Sequence, residues 1–568
     1  MQRYYFLLEN MYRAMIIFWL TCLVGYPRTS APEPHFLKGI NCLSVFLLLL
    51  ICIIPIVYKE ALSEEGFSLS RIISSVLYTL PVCFLLACMK KKRVFVVLSS
   101  ILMVVSFFET IMVVLYKNFL IVGNIISALN TTADEGSVFV MSSLHALPWA
   151  LPVFLVFGLL VWKYKKPQKL APNVLCAASF IVLSIVFLTF QLRVKWGGNI
   201  TTRFYVEQNV LSRPPYNFWF QSYNAIEQQF QKGYIKEAEK MKFGAKRPKI
   251  NEKESYVLAI GESLRYDNLS LAGYGRKTTP LLETLDNLTL FSDYYSAANL
   301  TMYSVPQIVT RATADNFVLN YQEKSIIQPF KECGFKTFAI SADNLICNQA
   351  YRYLVKGCDG IFNYNAGEDA RLADIVDSLS NIYPKTFFIV QFFGNHSPYR
   401  NFKKEQNIYR PNPVFDNSSW TDHKAVVNAY DNTVLFTDYN VYHIIKAIDK
   451  PGYQSAFLMV SDHGADYDTG VSDHGGNCNP RKAEYHVPLI VWNSKVWGDK
   501  YPQKKANLLS NKNKPVNSDN IFYSVCDMAD ITIDKKYSKP EWSVFAKNLK
   551  PHERKLLVPD GKNYIIVK

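Results

Sequence analysis

The chain has 568 residues, a formal net charge of +15 and a mean hydropathy of +0.01. This length argues against one compact core, because domains usually hold about 100–200 residues. The charge fits a solvated surface with basic loops or attraction to an anionic membrane. No RGG tract, zinc-finger spacing or isolated basic helix appears, which argues against a nucleic-acid partner.

Five apolar segments in the first 192 residues are long enough to cross a bilayer, which takes about 20 mostly apolar residues. They run from Leu37 to Tyr58, Ile72 to Met89, Val94 to Tyr116, Leu147 to Trp162 and Val174 to Leu192. Five such segments in succession argue against buried helices of a soluble domain. An earlier stretch, Met11 to Tyr26, carries Arg13 and fits either a sixth span or an interfacial helix.

The charges of the loops predict the orientation of these spans. The loops around Lys90 to Arg93 and Lys163 to Lys169 are basic, so the positive-inside rule makes them cytoplasmic. The loops Lys59 to Arg71 and Lys117 to Ala146 should then face outward. The fifth span leads everything after Leu192 to the far side, and we interpret residues 193–252 as a connector with interfacial helices.

After Lys253, short apolar runs alternate with helix-like segments. Four runs are rich in β-branched or aromatic residues: Tyr256 to Ile260, Lys336 to Ile340, Thr386 to Phe393 and Ser455 to Val460. Continuous apolar runs of this length indicate strands buried on both faces of a mostly parallel sheet between helices. The pattern therefore predicts an α/β domain.

Polar residues stand where three of these runs end. Glu262 follows the first run, His396 the third, and Asp462 with His463 the fourth. Because ligands of open α/β sheets bind outside the carboxyl ends of the strands, we expect these side chains to meet at one edge. Carboxylates with imidazoles suit zinc, and manganese less well. Each signal alone is weak, since a single histidine at a strand end is more often structural.

A transfer reaction at such a site also needs a nucleophile. Thr301 precedes Pro306, which suits the first turn of a helix running through Gln307 to Thr310. A hydroxyl just before that helix would lie in its positive end field, which favours an alkoxide and a bound phosphate. From spacing alone, Thr301 could also be an ordinary helix cap. Ser263 is an equally good candidate nucleophile, because it adjoins Glu262.

The chain resembles the bacterial phosphoethanolamine transferases, which are members of the alkaline phosphatase and sulfatase superfamily. The motifs that carry the resemblance are Ala259-Ile260-Gly261-Glu262-Ser263, Gly273-Tyr274-Gly275-Arg276-Lys277-Thr278-Thr279-Pro280, Gly394-Asn395-His396-Ser397-Pro398-Tyr399 and Val460-Ser461-Asp462-His463-Gly464. The resemblance implies a multi-span α-helical membrane domain (1–192), a connector (193–252) and an alkaline-phosphatase-like catalytic domain with a mostly parallel central sheet (253–568). It places the chain in the bacterial inner membrane with the catalytic domain in the periplasm.

The resemblance also implies roles at the metal site. Glu262, Asp462 and His463 match the ligands of a primary zinc ion. Thr301 matches the nucleophilic threonine, and this match favours Thr301 over Ser263. We also expect Thr301 to ligate the metal. We expect one zinc ion, with room for a second.

Five further residues resemble or are expected to be part of the substrate site. His396 and His474 resemble a pair that binds the transferred phosphate or a second zinc. Thr131 and Glu135 resemble residues that hold the ethanolamine end of the donor. We expect Asn344 to line the same site.

The implied reaction is a double displacement. Thr301 takes phosphoethanolamine from phosphatidylethanolamine and passes it to lipid A or a lipopolysaccharide core sugar. We expect a membrane-bound monomer. Two alternatives remain: a glycerol-phosphate transferase of the lipoteichoic-acid-synthase type, and a catalytically silent membrane protein that binds lipid.

The chain departs from the family pattern beside the nucleophile. Family members often bracket the threonine with two disulfide-bonded cysteines, whereas this chain has Ala297 and Gln307 at those positions. The disulfide is therefore absent here.

Overall fold

The computed structural model describes residues 42–62, 67–130, 133–167, 210–230, 238–250, 252–342, 354–365, 367–420, 422–469, 480–561 and 563–567, with a few residues between 174 and 182. The chain divides into two compact units. The first comprises Met1–Leu120 and Phe139–Asn224, and the second comprises Ile121–Val138 and Ala225–Lys568. The domain limits at residues 192 and 252 stay predictions. The structure places the segment Ile121–Val138 in the second unit, which also contains most of the predicted catalytic domain.

Helices make up most of the described chain before residue 231. They are α1 (Cys42–Leu62), α2 (Leu69–Ala87), α3 (Lys92–Tyr116), α4 (Val122–Asn130), α5 (Ala133–Trp162) and α6 (Asn217–Phe230). Within the described residues, three stretches are long and apolar enough to cross a membrane: Cys42–Leu62, Lys92–Tyr116 and Ser143–Trp162. The second predicted span forms the shorter apolar helix Arg71–Ala87.

Two predictions about this half need comment. The connection predicted from Lys117 to Ala146 contains α4 and the first turns of α5, and its outward orientation stays a prediction. Val122 and Ile126 of α4 are buried in a small apolar cluster, and this packing stabilises the helix. The predicted stretch Met11 to Tyr26 lies outside the described residues, as does most of Val174 to Leu192.

A buried carboxylate occurs inside the apolar helix α3. Glu109 is fully buried, and its two oxygens accept hydrogen bonds from the Asn217 side chain at 2.8 Å and the Leu120 N–H at 3.0 Å. Both donors belong to the same unit. These bonds satisfy a group that would be costly in an apolar environment.

The second unit is built on a seven-stranded sheet. Its strands lie in the order β2 (Leu288–Phe291), β8 (Leu489–Asn493), β7 (Gln454–Ser461), β1 (Glu254–Gly261), β6 (Lys385–Gln391), β4 (Lys336–Ser341) and β5 (Gly360–Asn363). The strands β7, β1, β6, β4 and β5 are parallel, and β8 runs antiparallel to both β7 and β2. All four predicted strands are therefore confirmed, as is the mostly parallel sheet.

Helices cover both faces of this sheet. Along β1, Tyr256, Leu258 and Ile260 pack into one hydrophobic cluster, while Val257 and Ala259 pack into another. Successive side chains of a strand point to opposite faces, so the two clusters are the two sides of the sheet.

One cluster takes side chains from α7 (Thr301–Val309), and the other takes them from α10 (Leu372–Ile382) and α11 (His423–Ile448). The described part of the domain is therefore a three-layer α/β/α sandwich. Its smaller elements are α8 (Leu319–Gln322), α9 (Ile327–Glu332), α12 (Lys482–Tyr485), α13 (Lys495–Lys500), α14 (Pro502–Asn511), α15 (Ile521–Met528), β3 (Tyr294–Tyr295), β9 (Val516–Asn517), β10 (Arg554–Leu557) and β11 (Tyr564–Val567).

Candidate active site

Three loops leave the carboxyl edge of the sheet side by side. β1 lies between β7 and β6, and its last residues pair with Ser461 of β7 and Gln391 of β6. The loops that follow these strands carry Glu262, Asp462 with His463, and His396. Parallel pairing therefore brings together residues that are distant in the sequence, as the strand pattern predicts.

Glu262, Asp462 and His463 form a compact, buried cluster. Each offers one ligand atom, and these atoms lie within 4.8 Å of one another. His463 Nε2 is 3.3 Å from Glu262 Oε1 and 3.4 Å from Asp462 Oδ2. None of the three residues is more than 1% exposed.

The hydrogen bonds around this cluster fit a bound cation. Asp462 Oδ1 accepts from the N–H groups of Ser263 (3.1 Å) and His463 (2.7 Å). Asp462 Oδ2, although buried, accepts no hydrogen bond within the described residues. His463 Nδ1 donates to the Gly464 carbonyl at 2.8 Å, which leaves the lone pair of Nε2 for a ligand. Two buried carboxylates with one imidazole are a donor set that zinc accepts.

Thr301 lies beside the cluster at the first residue of α7. Its Oγ1 is 3.0 Å from His463 Nε2 and 3.3 Å from Glu262 Oε2. The predicted helix start near Pro306 is wrong, because α7 begins at Thr301 and Pro306 lies in its interior. The buried residues Val305 and Ile308 pack into the core, and this packing outweighs the preference of proline for a first turn. Thr301 nonetheless stays at the positive end of a helix.

The two candidate nucleophiles differ in exposure. The Ser263 side chain is fully buried and donates to Glu262 Oε1 at 2.8 Å. Thr301 is partly exposed. A substrate can therefore approach Thr301 but not Ser263, which acts as a partner of the Glu262 carboxylate.

Hydroxyl groups for which the sequence predicted no role hold the cluster in place. Ser296 and Ser304 both donate to the backbone carbonyl of Asp462. Ser304 lies one turn after Thr301 on α7, so the helix that presents Thr301 is tied to a ligand residue. Sequence reasoning missed both serines, and the only available signal was the three-residue spacing between Thr301 and Ser304.

Tyr430 of α11 fixes the turn after β1. Its hydroxyl donates to the Ser263 carbonyl and accepts from the Arg265 N–H, both at 2.8 Å. Ser263 has a φ of 57°, a left-handed conformation that serine seldom adopts. Burial raises the pKa of the Tyr430 hydroxyl well above its ordinary value, so this group stays a hydrogen-bond donor.

The loop with His396 is anchored to the cluster through its backbone. The Asn395 N–H donates to the Glu262 carbonyl at 3.0 Å. The buried Asp369 accepts from the N–H groups of Phe393 (2.9 Å) and Gly394 (3.2 Å). His396 donates from Nδ1 to the Ser397 carbonyl at 2.7 Å and stacks on Phe393. Sequence reasoning also missed Asp369, which lies far from the loop in sequence.

Gly464 is required by a close backbone approach. A Cβ atom at this position would lie 2.0 Å from the Ala483 carbonyl oxygen, and the Gly464 N–H donates to the Glu484 carbonyl at 2.8 Å. The Asp-His-Gly motif therefore needs its glycine to pack the ligand turn against the backbone of α12.

A hydrogen bond joins the two positions at which the resembling family often has a disulfide. The buried Gln307 side chain donates to the carbonyl oxygens of Ala297 (3.3 Å) and Tyr303 (3.0 Å). The segment before α7 is thus connected to the end of the same helix without cysteines.

The structure does not describe the side chains of four of the predicted substrate residues. Thr131, Asn344 and His474 lie outside the described residues, and Glu135 lies on α5 with a side chain that is not described. Their predicted roles stay predictions.

Comparison with known proteins agrees with this fold. Residues 254–531 match the family model described as Sulfatase. The phosphoethanolamine transferase EptC of Escherichia coli (strain K12) is 27% identical to the chain over 342 residues, covering 56% of this chain and 57% of that relative. The chain thus spans a little more than half the length of the curated relatives it matches.

Solved structures give two further likenesses. The C-terminal periplasmic domain of Escherichia coli EptC, in complex with zinc, is 26% identical with a TM-score of 0.50, covering 57% of this chain and 94% of that one. The integral membrane protein EptA of Neisseria meningitidis, a lipooligosaccharide phosphoethanolamine transferase, covers 89% of this chain and 98% of its own with a TM-score of 0.63. At 18% identity, the second likeness shows the fold alone. Residues 254–531 therefore resemble a Sulfatase domain, and the relatives and solved structures to which the chain is similar are named as phosphoethanolamine transferases.

Proposed function

We propose that this chain transfers phosphoethanolamine from phosphatidylethanolamine to lipid A or a lipopolysaccharide core sugar. The observation that carries the proposal is the position of the Thr301 hydroxyl, 3.0 Å from His463 Nε2 and 3.3 Å from Glu262 Oε2. A partly exposed hydroxyl beside a buried carboxylate–imidazole cluster is the arrangement expected of an activated nucleophile. The curated relative EptC, named a phosphoethanolamine transferase, supports the same reaction.

Thr301 would act as the nucleophile of the first step. Its oxygen forms a bond to the donor phosphorus as the bond from phosphorus to the glyceride oxygen breaks. The Thr301 hydroxyl loses its proton, the departing diacylglycerol oxygen gains one, and phosphoethanolamine remains on the threonine. In the second step, an acceptor hydroxyl attacks the same phosphorus and Thr301 regains its proton.

Glu262, Asp462 and His463, with Thr301, would hold the zinc ion. Zinc, when bound, lowers the pKa of a neighbouring hydroxyl and stabilises negative charge on a phosphoryl group. The buried Asp462 Oδ2, which accepts no hydrogen bond from the residues that the structure describes, supports this assignment, as does the zinc complex of the EptC domain. One ion satisfies these residues, and a second would need His396 and His474.

The remaining roles complete the proposal. Thr131 and Glu135 would hold the ethanolamine end of the donor, where the Glu135 carboxylate can pair with the ammonium group. Asn344 would line the same site. The chain would act as a monomer in the bacterial inner membrane with its catalytic domain in the periplasm, because donor and acceptor are both membrane lipids.

Mass spectrometry of envelope lipids tests the function. Cells that express the wild-type chain should carry phosphoethanolamine on lipid A or on core sugars, and cells that express Thr301→Ala should not. Thr301→Ala removes the hydroxyl and one methyl group from the partly exposed first residue of α7, so the protein should stay folded, which its yield and melting temperature would check.

Two outcomes would contradict the proposal. Normal modification by Thr301→Ala would exclude the threonine mechanism. A glycerol-phosphate mass in place of phosphoethanolamine would assign the chain to the lipoteichoic-acid-synthase type of transferase.

A further inference from the structure

The helix that presents Thr301 begins without a side-chain cap. Its N-cap residue is Leu300, whose side chain makes no capping hydrogen bond, and leucine is among the least favourable residues at this position. The first N–H groups of a helix have no partner inside the helix, and helix ends fray easily. Because Thr301 is the first residue of α7, the position of its hydroxyl needs support from outside the helix.

A buried hydrogen bond from an amide to a carboxylate supplies such support. Asn299, two residues before Thr301, is fully buried, and its Nδ2 donates to Glu484 Oε2 at 2.8 Å. Glu484 of α12 is 5% exposed, and its Oε1 accepts from the Arg481 N–H at 2.9 Å. Hydrogen bonds to an ionised group are among the stronger ones in proteins. This bond therefore attaches the segment before α7 to α12.

The backbone of Glu484 holds the ligand turn at the same time. Its carbonyl accepts from the N–H of Gly464 at 2.8 Å, and Gly464 directly follows His463. His463 Nε2 in turn lies 3.0 Å from Thr301 Oγ1. These contacts close a ring that runs from Thr301 through His463, Gly464, Glu484 and Asn299 back to Thr301. Glu484 thus fixes the nucleophile segment and the ligand turn relative to each other.

We propose that Asn299 and Glu484 are positioning residues that hold the Thr301 hydroxyl at its working distance from the metal ligands. The inference rests on the proposed function, in which Thr301 is the nucleophile. Displacing a reacting group by about 1 Å can slow a reaction by about 100-fold. Loss of the bond between Asn299 and Glu484 should therefore slow the attack of Thr301 on the donor phosphorus, while the donor and zinc still bind.

A set of isosteric variants tests the bond itself. Asn299→Asp removes the donor and makes two carboxylates face each other. Glu484→Gln, added to that variant, supplies an amide that donates in the opposite direction and restores the bond. Glu484→Gln alone should keep the bond, because the Asn299 amide can turn over: its Oδ1 accepts no hydrogen bond within the described residues.

The measurement uses the full-length, zinc-loaded chain with saturating phosphatidylethanolamine in detergent. Mass spectrometry of quenched samples gives the rate at which the adduct forms on Thr301. This rate should fall by about tenfold or more in Asn299→Asp, with the KM for the donor and the zinc affinity unchanged. It should return close to the wild-type value in the double variant.

Asn511→Asp is the matched control. Asn511 is also buried, and its amide donates to the carbonyls of Val544 and Ala546. The same change of amide to carboxylate there should lower the melting temperature and leave the adduct rate unchanged. Asn299→Ala covers the case in which Asn299→Asp does not fold, because it removes the bond without adding a charge, and it should slow the same step.

The outcomes separate the inference from the function on which it rests. Wild-type adduct rates in the Asn299 variants, or a slow rate that Glu484→Gln fails to rescue, would overturn the inference. An equal loss of zinc affinity would mean that the bond only maintains the metal site, and misfolding of both variants would assign it to folding alone. A wild-type chain that forms no adduct would instead overturn the proposed function.

Discussion

The positions of the Thr301 hydroxyl and of the three ligand residues depend on neighbouring side chains that neither bind the metal nor transfer a proton in the proposed reaction. Ser263 supplies an N–H to Asp462 and a hydroxyl to Glu262. Tyr430 in turn holds the Ser263 carbonyl and the Arg265 N–H. The buried Tyr430 hydroxyl therefore fixes the turn in which Ser263 donates hydrogen bonds to two of the three ligand residues.

Tyr430→Phe should lower zinc affinity by about tenfold, because residues that orient metal ligands have effects of this size. The ring stays in place and only the hydroxyl is lost. A competition titration with a chromogenic chelator measures the affinity. Tyr439→Phe, on the same helix at an exposed position, should match the wild type, whereas Asp462→Asn should lose tight binding. Wild-type zinc affinity in Tyr430→Phe would show that the turn needs no support from α11.

The ligand residues could be predicted because strand ends are visible in a sequence. Glu262, Asp462 and His463 each follow a continuous apolar run, and parallel strands bring such positions to one edge. Ser304, Tyr430 and Asp369 could not be predicted in this way. Their partners lie far away in the sequence, or are backbone carbonyls whose positions only the folded chain defines.

At the scale of elements, α11 contacts both the turn after β1, through Tyr430, and the segment around Leu281, through Asp438. Its residue Asp438 is 1% exposed and accepts from the N–H groups of Leu281 and Leu282, both at 2.9 Å. Burial raises the pKa of the Asp438 carboxyl to about 7, against the lowering effect of these two amides. The folded state therefore favours the protonated carboxyl.

This pKa predicts a pH dependence of stability. In the unfolded chain an aspartate has a pKa of about 4, so the contribution of Asp438 to stability is complete below that pH and is lost as the pH rises through about 7. Asp438→Asn has no proton to lose. The melting temperature of the wild type should thus fall relative to Asp438→Asn between about pH 5 and pH 8. A constant difference across this range would contradict the prediction.

The sequence predicted the strands of the sheet better than the helices, and the reason is physical. The strands β1, β4, β6 and β7 are continuous apolar runs, and the structure confirms each of them. The helix start near Pro306 was wrong, because core packing of Val305 and Ile308 extends α7 to Thr301. The sequence analysis did not predict helix α4, since this helix packs against Leu300, Met302 and Pro559, which are distant in sequence.

At the scale of the whole molecule, hydropathy predicts the division into an apolar half and a soluble half. Three described stretches are long and apolar enough to cross a membrane, and residues 254–531 match the Sulfatase family model. The segment Ile121–Val138 departs from this division, because it lies among the apolar helices in sequence and packs with the soluble domain. The composition of a segment cannot show that it packs with a unit other than that of its neighbours in sequence.

The central claim is that Thr301 carries the transferred group between donor and acceptor. The most direct test incubates the full-length chain in vesicles that contain phosphatidylethanolamine but no acceptor, and then maps modified peptides by mass spectrometry. We predict a phosphoethanolamine adduct on Thr301 and none in Thr301→Ala. An adduct on Ser263, or release of diacylglycerol without any adduct on the chain, would contradict the claim.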